Sequence, residues 1–171
     1  MWEVRKIYGG HNVVAADLRE KNDLIKGTGP YVSLDVMNKE MLHVQVIRQG
    51  ITQIYLLAAI LSATGEKNPS LAWHLNMQSL LNVLDIAKEE KLTRVFWPSR
   101  ISVFGHTSHK KDCTKHTVIE PITVYGISTF AGEFWCNYYV HDYGVDMSRM
   151  RYAGHVSYKS STGAVNTSNT Y

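Results

Sequence analysis

Short apolar runs rich in β-formers alternate along the chain with longer stretches whose apolar positions recur every three or four residues, the pattern of parallel strands joined by crossover helices. It predicts an α/β fold. Val4, Ile7 and Tyr8 read as the last turns of an amphipathic helix stopped by Gly9 and Gly10. A strand over residues 12–16 leads to Asp17 at its carboxyl end, and after Gly27-Thr28-Gly29-Pro30 a second runs from Tyr31 to Leu34 and ends at Asp35. A helix through Met41, Val44 and Gln45 closes at Gly50. Residues 51–59 are apolar on both faces, which predicts a central strand covered by helices on both sides. The clearest helix spans 71–91, with Leu80, Val83, Leu84 and Ala87 on one face. A strand over 93–97 should stop at Pro98, a polar loop rich in His and Lys covers 105–117, a helix covers 125–143 and ends at Gly144, and a last strand covers 146–152. From Ser157 to Tyr171, nine of fifteen residues are Ser, Thr or Asn, a composition that buries too little to order itself. The expected organisation is one folded domain over 1–156 and a disordered polar tail over 157–171.

Composition narrows the function classes. A chain of 171 residues with 44% apolar and 19% charged residues suits a single globular domain. Its net charge of +3 is too small to argue for nucleic acid or an anionic membrane surface. The longest apolar run, residues 54–61, is eight residues, and Glu3, Arg5 and Lys6 occupy the place of a signal core, so neither a membrane span nor a secretory signal is expected and a cytoplasmic protein is. Two cysteines, Cys113 and Cys136, make no disulfide framework and are read as reduced thiols. His106, His109, Cys113 and His116 have plausible spacing for zinc, but Lys110, Lys111 and Lys115 oppose a cation, so the loop is read as solvated and no metal is expected.

Five segments carry a family resemblance. Phe96-Trp97-Pro98-Ser99-Arg100-Ile101-Ser102-Val103-Phe104-Gly105 followed by Val124-Tyr125-Gly126-Ile127-Ser128 resembles the extended short-chain dehydrogenase/reductase superfamily. Residues 61–69, the helix start Trp73-His74-Leu75-Asn76-Met77, and Met150-Arg151-Tyr152-Ala153-Gly154 make the chain similar to short-chain L-threonine 3-dehydrogenases. The resemblance implies a Rossmann-like doubly wound parallel sheet, NAD as cofactor, and L-threonine oxidised to 2-amino-3-ketobutyrate in threonine catabolism. It also implies a homodimer, for which exposed Phe134, Trp135 and Tyr138 are the candidate contacts.

The chemistry such enzymes perform shows what this chain keeps. A tyrosine takes the substrate hydroxyl proton as hydride leaves for the nicotinamide, yet a free phenol titrates near 10, and lowering it towards 7 requires roughly 4 kcal/mol of preferential stabilisation of the anion. In the family a lysine four residues on, on the same helix face, supplies that charge and holds the nicotinamide ribose. Tyr125 matches the base, but Thr129 stands in the lysine's place. Twenty-five residues before Tyr125, where the substrate-orienting hydroxyl belongs, is Arg100. Ser99 is the neighbouring hydroxyl and is carried as a catalytic candidate, although strand alternation turns it to the other face; Ser102 is on the right face but about 6 Å further along. Arg100 could in principle replace the lysine's charge, but a guanidinium accepts no hydrogen bonds and is bulkier than a hydroxyl.

By the same resemblance, Asp17 accepts from the adenine ribose, favouring NAD over NADP, and Asp35 contacts the adenine. Leu57, Ala58, Ala59 and Asn76 border the cofactor, and Ser62 touches substrate. Turn-capping is the competing reading for both aspartates. The family's glycine-rich phosphate turn has no counterpart in the sequence, since Gly9-Gly10 and Gly27-Thr28-Gly29 follow a helix and precede strands. The expected sheet therefore lacks its first strand, which lies in the middle of a 3-2-1-4-5-6 order, so the strands at Asp17 and Leu34 should be cut off from the rest. Ser160 to Val165 stand where the family has a Gly-rich segment leading to a small substrate domain, and Ala153 stands in place of a proline. Two functions are expected to compete: a threonine dehydrogenase relative impaired or inactive alone, with weak NAD binding, and a non-catalytic partner-binding scaffold.

Overall fold

The computed structural model describes residues 1–19, 27–108 and 117–152. The tail over 157–171 and the residues His109, Cys113 and His116 lie outside them. All strand pairs are parallel, in two sheets. The first pairs β1 (Ala15–Asp17) with β2 (Tyr31–Ser33), and the second has the order β3 (Gln53–Tyr55), β4 (Arg94–Arg100), β5 (Met147–Tyr152). Helices α1 (Trp2–Tyr8), α2 (Lys39–Arg48), α3 (Ser62–Gly65), α4 (Pro69–Glu89) and α5 (Val124–Tyr143) complete the α/β fold.

Among the described residues the β1–β2 pair forms no ladder with the other strands. Side chains join the two parts instead. Arg5 of α1, 6% exposed, donates to the carbonyls of Val13 and Pro30 at the starts of both short strands. Tyr8 shares a 3.1 Å hydrogen bond with Tyr55 of β3. Asn82 of α4, also buried, donates to the carbonyls of Val36 and Met37 just after β2, so the backbone there is satisfied by an amide rather than by a ladder.

Two sequence expectations are corrected here. Residues 51–59 do not form a central strand: only 53–55 pair, and β3 is the outer strand of its sheet among the described residues. Beyond it Leu56 is buried in the core, but residues 57–59 are exposed, Leu57 at 65%, where the chain borders a cleft rather than passing under helices. Nor does the next strand stop at Pro98, since β4 continues to Arg100. Its backbone alternates between neighbours: Val95 donates to Asp146 on the β5 side, and Phe96 accepts from Leu56 on the β3 side. Pro98 therefore offers no N–H on the β3 side, where the pairing ends at Tyr55, and the ladder to β5 runs on unaffected.

The core lies between the three-stranded sheet and its long helices. Leu80, Val83, Leu84 and Ile86 of α4 meet Val95 and Trp97 of β4 and Cys136 and Tyr139 of α5. Asn68 caps α4 by accepting from Leu71 at 3.1 Å, with Pro69 in the first turn, and Thr123 caps α5 by accepting from Gly126 at 3.0 Å. Gly144 ends α5 with a φ of 68°. Within α5, Gly132 is where the Trp97 ring packs: a Cβ there would lie 2.5 Å from Trp97 Cη2.

Candidate functional site

At the carboxyl end of β4 a cleft opens between the segment after β3 and the first turns of α5. Its walls are Leu56 to Ala59, Leu61, Trp97 and Pro98, and its polar lining is Asn76, Arg100, Tyr125, Ser128 and Thr129. Carboxyl ends of parallel strands are where open α/β sheets bind ligands. The structure thus brings together Tyr125, Arg100, Thr129, Asn76 and the 57–59 segment.

Two of the polar groups are consumed by the fold. Thr129, 4% exposed, donates its hydroxyl to the Tyr125 carbonyl at 2.7 Å, one turn back in α5. Asn76 clamps the cleft wall, accepting from Ile60 N at 2.8 Å and donating to Ile60 O at 3.1 Å, and it also donates to Ser128. A mid-helix asparagine is explained by this latch on the loop after β3, as the sequence hinted.

Tyr125 and Arg100 remain. Burial pushes the Tyr125 phenol above its ordinary value of 10, and the adjacent Arg100 guanidinium pulls it down by less, so the net shift is upward. The phenol is therefore protonated at neutral pH, and its oxygen accepts a hydrogen bond from Arg100. Arg100 does stand beside the tyrosine, the arrangement weighed as a substitute for lysine, but its charge loses to desolvation. The Arg100 Nε is buried with no partner among the described residues, and the guanidinium lies 5.9 Å from the centre of the Tyr152 ring.

Ser99 is corrected. Its side chain is 1% exposed on the opposite face of β4 and donates to Glu133 Oε1 at 2.5 Å, away from the cleft. Glu133 also accepts from Arg151 at 2.8 and 2.6 Å. Burial alone would raise this carboxyl, but the bonds from Arg151 and Ser99 outweigh it and hold it below its ordinary value. Glu133 was missed from the sequence; the signal was a carboxylate on the same α5 stripe as buried Thr129, Gly132 and Cys136. Ser102 lies in a 3-10 turn, Ile101–Val103, rather than continuing the strand, and its hydroxyl is buried without a partner. Ser62 opens α3 beside the cleft residue Leu61 without lining the cleft itself. Cys136 is buried and its thiol is pushed up to about 12, which excludes a thiolate nucleophile at neutral pH.

The adenosine side is separate. Asp17, exposed at the end of β1, accepts from Arg19 N at 2.9 Å, and Asp35, exposed after β2, accepts from Met37 N at 2.9 Å. Both are turn caps, Asp17 closing β1 and Asp35 just past β2. The nicotinamide side does not fit. The space between Arg100 and the apolar walls, about 40 Å³, holds roughly three waters. Thr129 has no reach and no charge to offer a ribose.

Two parallel sheets flanked by helices, with a half-buried tyrosine at the start of the last long helix, form a Rossmann-like α/β fold. The chain belongs to the NAD dependent epimerase/dehydratase family, whose model matches residues 4–169. It is 42% identical over 164 residues to an uncharacterized epimerase/dehydratase of Staphylococcus haemolyticus, covering 95% of this chain and 51% of that protein. Among solved structures, a GalE-like L-threonine dehydrogenase from Cupriavidus necator in its holo form matches at TM-score 0.89 and 46% identity, over 94% of this chain and 52% of that one. A partial consensus L-threonine 3-dehydrogenase matches at TM-score 0.88 and 46% identity, over 92% and 50%. The chain spans about half the length of the relatives it matches. Among the described residues no helix is long and apolar enough to cross a membrane.

Proposed function

We propose that the chain is a relative of NAD-dependent L-threonine 3-dehydrogenases that, by itself, does not turn over L-threonine. The carrying observation is Tyr125: its phenol is held protonated by burial, with Thr129 in the lysine's place and a single guanidinium as counter-charge. A base must give up its proton before it can take one from substrate, and this one is shifted away from neutrality. NAD is the cofactor this reading retains, bound weakly and through its adenosine end, with Asp17 and Asp35 as acceptors. The exposed aromatic side chains Phe134, Trp135 and Tyr138 on α5 support a second copy as partner.

The test mixes the purified chain with NAD and L-threonine and follows NADH absorbance, alongside calorimetric titration of NAD. The expected result is no turnover and weak, saturable NAD binding. Turnover that Tyr125→Phe abolishes overturns the reading. Recovery of activity in Arg100→Ser/Thr129→Lys would place the defect at the two residues named.

A further inference from the structure

Helix α2 gives one face to the core and leaves the other uncovered. Leu42 and Val46, four residues apart, are buried, while Met41, Val44 and Ile47 are exposed at 48%, 52% and 60%. The charges of the helix divide in the same way. Lys39 donates to Asp85 and Glu89 at 3.0 and 3.1 Å, and His43 bonds Glu90 at 2.7 Å, so both are spent on holding α2 to α4. Glu40 and Arg48 are exposed and make no ion pair among the described residues. The uncovered face is symmetric about Val44. Met41 and Ile47 stand three residues to either side of it, and Glu40 and Arg48 four residues to either side, which at 3.6 residues per turn puts all five on one face.

We propose that this face is a two-fold contact with a second copy of the chain, each α2 lying antiparallel on the other with Val44 at the axis. Antiparallel pairing about that residue sets Val44 against the partner's Val44, Met41 level with the partner's Ile47, and Glu40 level with the partner's Arg48, each of the last two twice over. The apolar row is then covered along its length, and the charges left over in one copy complement those left over in the other. A parallel pairing fails, because it sets Glu40 beside Glu40 and Arg48 beside Arg48. One ten-residue helix, about 15 Å long, covers less than the roughly 1,600 Å² of a standard interface, so the association is weak and concentration-dependent. It uses neither NAD nor Phe134, Trp135 and Tyr138 of α5, so it stands or falls apart from the dehydrogenase reading and its expected dimer.

The test follows sedimentation velocity from about 10 μM to about 1 mM for the wild type, Glu40→Arg, Arg48→Glu, the double variant, and an equimolar mixture of the two single variants. The wild type is expected to self-associate, and each single reversal to weaken this about tenfold by setting like charges together. The double variant and the mixture should both restore it, because each again sets opposite charges level. Oxidation of Val44→Cys in a Cys113→Ser background should yield a disulfide-linked dimer, and Gln49→Cys, exposed but off the face, should not. If a charge variant does not fold, the cross-link still decides. A monomer at every concentration, self-association indifferent to the reversals, no rescue in the folded double variant or the mixture, or equal cross-linking at positions 44 and 49 each overturns the proposal.

Discussion

Two neighbouring residues of β4 face opposite environments. Ser99 points into a charged network in which Glu133 receives three hydrogen bonds from Ser99 and Arg151, while Arg149 donates to the Glu133 carbonyl at 3.3 Å. Arg100 points into a cleft where its Nε has no partner. Strand alternation makes the two faces chemically independent although they are one bond apart in sequence. One face ties β4, α5 and β5 together with a neutralised pair; the other leaves a cation and a protonated phenol side by side.

The largest effect should come from breaking the satisfied face. Glu133→Gln removes the charge that Arg151 pairs with and should cost about 3 kcal/mol of stability, read by urea unfolding. A loss comparable to that of a surface substitution would show the network is not needed for the fold. Next, Gly132→Ala pushes a Cβ into Trp97, which lies on the Ser99 face of β4, and should cost about 2 kcal/mol. Relief by Trp97→Phe in the same chain would confirm the contact. In the opposite direction, Arg100→Met keeps most of the volume while removing the unmatched charge and should stabilise by about 1 kcal/mol. It should also move the Tyr125 phenol further up, seen as the phenolate absorbance that Tyr125→Phe deletes.

Titration separates the faces again. Glu133 and Asp85 are both held below their ordinary values of 4.5 and 3.8 in the folded chain, Asp85 because bonds from Tyr139 at 2.6 Å and Lys39 at 3.0 Å outweigh burial. A depressed carboxyl stabilises the fold above its unfolded value and loses that contribution as pH falls through the folded one. Stability should therefore decline below about pH 4.5, with a shallower decline in Glu133→Gln and an unaltered one in Arg100→Met. The smallest expected change is spectroscopic: Thr129→Lys should lower the Tyr125 phenol, and an unmoved titration would show that position 129 does not face it.

Much of the fold could be read from the chain because periodicity and stop signals are local. The helix ends at Gly9 and Gly144, the acids closing β1 and β2, and the apolar stripe of α4 all stand where the pattern put them. The pairing of Pro98 could not be read, because its tolerance depends on where the neighbouring strand stops. Residues 51–59 misled for a related reason: an apolar run signals burial or a cleft wall alike, and only its neighbours distinguish them.

By itself the sequence determined the α/β class, the family, and the fact that the tyrosine's expected lysine is a threonine and its expected hydroxyl an arginine, since these are statements about residue identity and local period. Only the tertiary structure decided that Ser99 belongs to Glu133, that Thr129 is spent on its own helix, and that Arg100 reaches Tyr125 while burial still raises its phenol. The balance between burial and a single nearby charge is set by what surrounds both groups in space, and no local pattern encodes that.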